Sequence, residues 1–141
     1  MNTFTIKAKL PSLNDVTYKN RANRYGGNKF KQNIETVIGW AIKQALTMKT
    51  LKPVKNPCVI EIEWHEATKR RDVDNIQSSQ KFILDALVKN RILQNDNRRY
   101  VRQIYHEIID DNDDYVVVTI KEIEGKRGVN GGRKYRKDSS R

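Results

Sequence analysis

The chain has 141 residues, enough for one domain with a single core, and its 37% hydrophobic and 32% charged content is polar without being too depleted to fold. Its formal net charge of +11 favours a polyanionic partner, nucleic acid or an anionic surface. No apolar run approaches the roughly 20 residues that span a bilayer, "MNTFTIKAKL" has no signal-peptide core, and a lone cysteine, Cys58, excludes an internal disulfide or cysteine-based zinc cluster and fits a reducing, cytoplasmic setting.

From Thr3 to Leu10, Phe4, Ile6, Ala8 and Leu10 alternate with polar residues, the period of a half-buried strand. "PSLND" breaks it, and "VTYKNRANRYGGNKFKQ", rich in Lys, Arg, Asn and Tyr around a glycine pair, predicts a surface loop. From about Asn28 to Met48, Phe30, Ile34, Val37, Ile38, Ala41, Ile42, Ala45 and Leu46 recur at helical spacing. After a connection bounded by Pro53 and Pro57, "CVIEIEWHE" alternates as a second strand, with Cys58 reading as a buried structural thiol. A helix is expected from about Asp74 to Asn90. "RYVRQIYHEII" and "YVVVTIKEI" then predict two strands joined as a hairpin by "DDNDD". Beyond Glu124 the chain holds seven Lys or Arg and four Gly with no core pattern, which predicts a disordered basic tail over 125–141 after a domain spanning 1–124. The element order β-α-β-α-β-β implies an α+β fold, two helices packed on a small mixed sheet.

The stretch "KRRDVDNIQSSQKFILDAL", Lys69 to Leu87, sets three cations directly before two aspartates and a helix. Aspartate is a preferred helix N-cap, and Asp74 with Gln77 makes a box-like start, so Asp72 and Asp74 have an ordinary structural reading. That reading leaves Lys69, Arg70 and Arg71 unexplained. On one continuous helix, Ile76, Ile83, Leu84 and Leu87 share a face, while Asp74, Ser78, Lys81 and Asp85 lie opposite within a sector of about 60°. Lys81 would start about 10 Å along the axis from Asp74 and lean back toward the aspartates. Past the helix, "LQNDNRRYV" places Asp96 in a short loop beside Arg98 and Arg99. If Asp96 meets Asp72 and Asp74, three carboxylates converge and need a cation. Oxygen-only ligation suits Mg²⁺ or Mn²⁺, and such a site in a basic protein points to phosphodiester hydrolysis.

In this order and at these spacings, "RDVDN", "KFILDAL" and "NDNRRYV" resemble the signature of the RusA family of Holliday junction resolvases, and "LPSLND…NRANRYGGNKFKQ" is similar to the N-terminal segment of its Gram-positive and phage branch. The resemblance covers about residues 5 to 120. It implies a homodimer that grips a four-way DNA junction and nicks opposed strands, with Asp72, Asp74 and Asp96 holding the divalent metal, Lys81 as the catalytic lysine and Arg71 as the basic residue before the first aspartate. The segment between "DVDN" and Lys81 is longer than in the shortest members by about one helical turn. Phosphate contacts are expected from Lys69, Arg70, Arg71, Arg98 and Arg99, from Lys19, Arg21, Arg24, Lys29 and Lys31 in the N-terminal loop, and from the tail.

Two other classes compete. A non-catalytic nucleic-acid-binding module would use the same aspartates as caps and ion-pair partners. The other is a metal-dependent nuclease of the restriction-enzyme or RNase H type; the restriction type would carry a Glu-x-Lys strand, which does not follow this "DVD" pair, and the substrate decides the rest. His65 and His106 read as polar strand-face residues, and Glu61 and Glu63 as a solvated or ion-paired strand face. "DDNDD" lacks the spacing and distal Glu of a calcium loop. Tyr18, Tyr25 and Phe30, set among cations, suit either plain packing or stacking on unpaired bases.

Overall fold

In the computed structural model the described residues are 2–12, 24–68 and 71–123, with backbone alone for 24–30. The loop cations Lys19 and Arg21, the pair Lys69 and Arg70, Tyr18 and the basic tail therefore lie outside the described residues, as do the side chains of Arg24, Tyr25, Lys29 and Phe30. The elements are β1 (Thr3–Ile6), α1 (Arg24–Thr47), β2 (Cys58–Glu66), α2 (Val73–Gln77), α3 (Gln80–Lys89), β3 (Val101–Asp110) and β4 (Tyr115–Glu122). The four strands form one mixed sheet in the order β1-β4-β2-β3. The fold is α+β, as the element order predicts. Among the described residues no helix is long and apolar enough to cross a membrane.

The core lies between one sheet face and the two long helices. Phe4 and Ile6 of β1, Ile60, Ile62 and Trp64 of β2, and Val116, Val118 and Ile120 of β4 meet Ile34, Ile38 and Ile42 of α1 and Phe82, Ile83, Ala86 and Leu87 of α3. Period two on the strands and period 3.6 on the helices point these residues to one layer. Cys58 is fully buried, and burial, with Glu122 nearby, pushes its thiol pKa up to about 12, which leaves it inert.

Several boundaries and one pairing differ from the sequence expectation. β1 stops at Ile6 because its partner β4 runs out: the antiparallel register ends at Ile6 opposite Val116. Leu10 remains buried without being in a strand. α1 starts at Arg24, so the second half of the expected loop is helix, Gly26 and Gly27 falling in its opening turn, where glycine costs least. The expected closing hairpin is absent. β2 lies between β3 and β4, parallel to the first and antiparallel to the second. A central strand satisfies backbone groups on both edges, which a β3–β4 hairpin would have left open on β2. The parallel pair needs a crossover, and the α2–α3 segment supplies it.

The expected helix over 74–90 is two pieces. Ser78 and Ser79 interrupt it: the Ser78 hydroxyl donates to the Asn75 carbonyl at 2.8 Å, and the Ser79 hydroxyl to the Pro11 carbonyl at 2.7 Å. Serine hydroxyls compete with helical backbone bonding in this way. Both serines keep right-handed helical dihedrals through the break.

Both long helices end alike. Lys49 and Arg91 each adopt φ 63°. The amide of Thr50 donates to Ala45 O at 3.0 Å and that of Lys49 to Leu46 O at 3.1 Å; Ile92 to Leu87 O and Arg91 to Val88 O repeat the pattern at 2.9 and 3.0 Å. These are Schellman closures with lysine and arginine where glycine is preferred. A side chain in the left-handed region costs about 1 kcal/mol, partly offset by the extra unfolded-state freedom of glycine. Lys49→Gly and Arg91→Gly are each expected to raise stability by about 0.5 kcal/mol in urea denaturation; a loss in either would contradict the left-handed assignment.

Candidate active site

The acidic turn hangs from the C-terminal end of β2. That end is tied down by the 111–114 turn, which crosses it in passing from β3 to β4: the Asp111 amide donates to Glu66 O at 3.0 Å, and the Ala67 amide to Asp114 Oδ1 at 2.7 Å. "DDNDD" thus closes a strand crossing. The Asn112 amide donates to Asp111 at 2.7 Å, and this bond, with His65, holds the Asp111 carboxyl below its usual range.

Beyond β2, Arg71 turns inward. Its Nε and Nη2 donate to the two Glu66 carboxylate oxygens at 3.2 and 2.8 Å, and its Nη1 donates to the Leu10 carbonyl at 2.8 Å. Asp72 follows at the N-cap position of α2 with extended backbone (φ −71°, ψ 156°), and its side chain makes no capping bond. Asp74 stands in the first turn. Both are exposed, and among the described residues neither carboxylate has an ion-pair or hydrogen-bond partner. The capping explanation of these aspartates is therefore not realised.

Lys81, in the first turn of α3, is well exposed. Its ammonium lies 3.9 Å from Asp85, an i,i+4 contact at the limit of an ion pair, rather than reaching back toward Asp74. Asp96 sits in a loop folded by its neighbours. Asn95 Oδ1 accepts from the amides of Asp96 and Asn97 at 2.7 and 3.2 Å, and Asn97 Oδ1 accepts from Arg99 at 3.0 Å. The Asp96 side chain is left exposed, on a cleft of about 490 Å³ that it shares with Gln80, Arg98, Arg102 and His106. Asp96 thus shares its cleft with Gln80, the first residue of α3, while Lys81 is not among the residues that line it. Among the described residues no three acidic, histidine or cysteine side chains are gathered closely enough to hold a metal ion, so Asp72, Asp74 and Asp96 do not form a ready-made cluster. Arg98, Arg99 and Lys31 are exposed and open to phosphate.

Two histidine networks brace this region, and strand periodicity did not reveal either. Trp64 Nε1–H donates to His106 Nδ1 at 2.9 Å, so Nε2 carries the proton and donates to Gln80 Oε1 at 2.8 Å. His106 therefore faces the helices and fixes the start of α3 to β3. His65 is buried between Glu63 (3.2 Å) and Asp111 (2.8 Å) and stacks on Tyr115 with ring centroids 4.0 Å apart. Glu61 pairs with Lys121 at 3.1 Å, as an ion-paired strand face would. No spacing rule links 64 with 106, or 65 with 111, because both pairings cross between strands.

The family model described as endodeoxyribonuclease RusA matches residues 11–121, well over half of the chain and nearly every element above. By class, then, this is a DNA endonuclease. The chain belongs to the RusA family of Holliday junction resolvases. No curated protein matches it.

Burial lowers the His106 pKa below its ordinary 6.5. The folded protein holds the ring neutral while the unfolded chain protonates, so this contribution to stability is complete above about pH 6.5 and declines as pH falls toward the folded-state value. Urea midpoints should drop between about pH 7.5 and 5.5 in the wild type, and drop less in His106→Gln; equal drops would contradict the network.

Proposed function

We propose that the protein is a divalent-metal-dependent, structure-specific endonuclease that resolves four-way DNA junctions by paired symmetric nicks, as a homodimer, in recombination and repair in the bacterial cytoplasm. The observation that supports this most is the acidic turn itself. In a chain of the RusA family, Asp72 and Asp74 follow the central strand exposed, uncapped and unpaired among the described residues, at the C-terminal end of a parallel strand where α/β-type crossovers place their sites.

The donor chemistry of Asp72, Asp74 and Asp96 fits a hard dication, Mg²⁺ or Mn²⁺: all three offer only carboxylate oxygens, and none is committed to another described group. They are assigned as its ligands by residue type and place in the family motif. Bound there, the ion would supply polarisation of the scissile phosphate and a lower pKa for the attacking water. The chain's own part is to position and bind. Lys81, held only by the loose 3.9 Å contact with Asp85 among the described residues, is available to a phosphate oxygen on which charge develops. Arg98 and Arg99, flanking Asp96, hold the backbone of the same strand. Lys69, Arg70, the 13–23 segment, Arg24, Lys29, Lys31 and residues 125–141 add phosphate contacts around a domain spanning 1–124; these raise affinity and its salt dependence without reading sequence.

Asp74→Asn removes one ligand and no phosphate contact. It is expected to reduce junction cleavage by more than the roughly 10–100-fold that loss of a supporting partner costs, while junction affinity measured without metal stays within about twofold. Normal cleavage by purified Asp74→Asn would contradict the assignment.

A further inference from the structure

The sequence groups Arg71 with Lys69 and Arg70 as a phosphate contact, yet the structure commits its guanidinium inward. Its fork spans both oxygens of Glu66, and its remaining arm holds the Leu10 carbonyl. The Arg71 side chain is 16% exposed and that of Glu66 is 5% exposed. A buried bidentate pair of this kind has little charge left to offer a phosphate. The next carbonyl along, that of Pro11, accepts from the fully buried Ser79. Two successive carbonyls therefore receive bonds from the two residues that bracket Asp72–Ser78.

We propose that Arg71 is a positioning residue: with Glu66 it clamps the acidic turn to the end of β2 and to the Leu10–Pro11 segment, and Ser79 closes the clamp on the far side. The inference rests on the proposed nuclease function. The turn it holds is only five helical residues long, with few bonds of its own: Ile76 N–H to Asp72 O at 3.1 Å and Ser78 N–H to Asp74 O at 3.0 Å. A helix that short does not persist unaided. Where Asp72 and Asp74 point is therefore set by what grips the turn at either end, and Leu10–Pro11 also leads into the segment that carries Lys19 and Arg21.

Arginine is required because three donors must lie in one plane. Lysine is a point charge that serves a phosphate but cannot fork across Glu66 while reaching Leu10. The two roles thus separate under substitution. Four proteins decide between them: wild type, Arg71→Lys, Glu66→Gln, and the paired Glu66→Met/Arg71→Met, in which both charges leave together so that no lone ion is buried. Each is assayed for single-turnover cleavage of a pre-bound four-way junction with Mg²⁺, junction affinity against salt without metal, urea stability, and amide exchange at Ile76 and Ser78.

The clamp predicts cleavage of the bound junction slowed at least about tenfold in all three variants. Exchange at Ile76 and Ser78 should be faster in each, with the salt slope of binding unchanged. The paired variant should recover stability lost in Glu66→Gln without recovering the rate, a result that folding alone does not produce. Arg71→Lys cutting at the wild-type rate would overturn the inference. So would a salt slope lower by about one in the paired variant, the mark of a lost phosphate contact. A wild-type protein that binds the junction but cuts nothing would overturn the proposed function, and this inference with it.

Discussion

The arrangement of the molecule depends on β2 being paired on both edges. With β3 parallel on one side and β4 antiparallel on the other, the strand cannot shift register without moving every inward side chain to the other face. Its C-terminal end is then a fixed point, to which several segments of the chain attach. The 111–114 turn crosses it, Glu66 anchors Arg71, and the crossover to β3 begins there with the acidic turn. The parallel pairing forces α2 and α3 to pass over the sheet, and the return of that crossover through the Asp96 loop sets Asp96 on a cleft lined also by Gln80 at the start of α3.

Charge is distributed in the same spirit. The net charge of +11 belongs to exposed side chains and to the two chain segments richest in lysine and arginine. Inside, Arg71 is matched by Glu66 and Lys121 by Glu61, and the His65 ring bonds to Glu63 and Asp111. The aspartates at 72, 74 and 96 differ. No described cation pairs with any of the three, in a protein that has a surplus of cations. Unpaired carboxylates amid positive potential are where a dication and a phosphate can be accommodated together, since each reduces the cost of the other.

Much of this was legible in the residues. Alternation located β2 and β4 almost to the residue, and helical spacing found the buried stripe of α1. What periodicity could not supply was pairing. A short turn between two strands ordinarily makes a hairpin, and nothing local to 101–122 shows that β2 enters between them. The serine pair at 78–79 lay in plain view, but its effect needs the Pro11 carbonyl, distant in sequence. Arg71 is the sharpest case. Beside two other cations it resembles a phosphate contact, and only the fold shows Glu66 and Leu10 waiting for it. The aspartates were found by residue type and order, and their exposure was expected of either reading. Their lack of capping bonds required coordinates.

The central claim is that these carboxylates cut branched DNA with the help of a hard dication. The most direct test titrates Mg²⁺ and Mn²⁺ against a labelled four-way junction, a linear duplex and a single strand in parallel. The account predicts symmetric nicks in the junction alone, none without metal and a rate that saturates as metal is added. Tight junction binding with no cutting at any metal concentration, or cutting that chelation leaves unchanged, would contradict it.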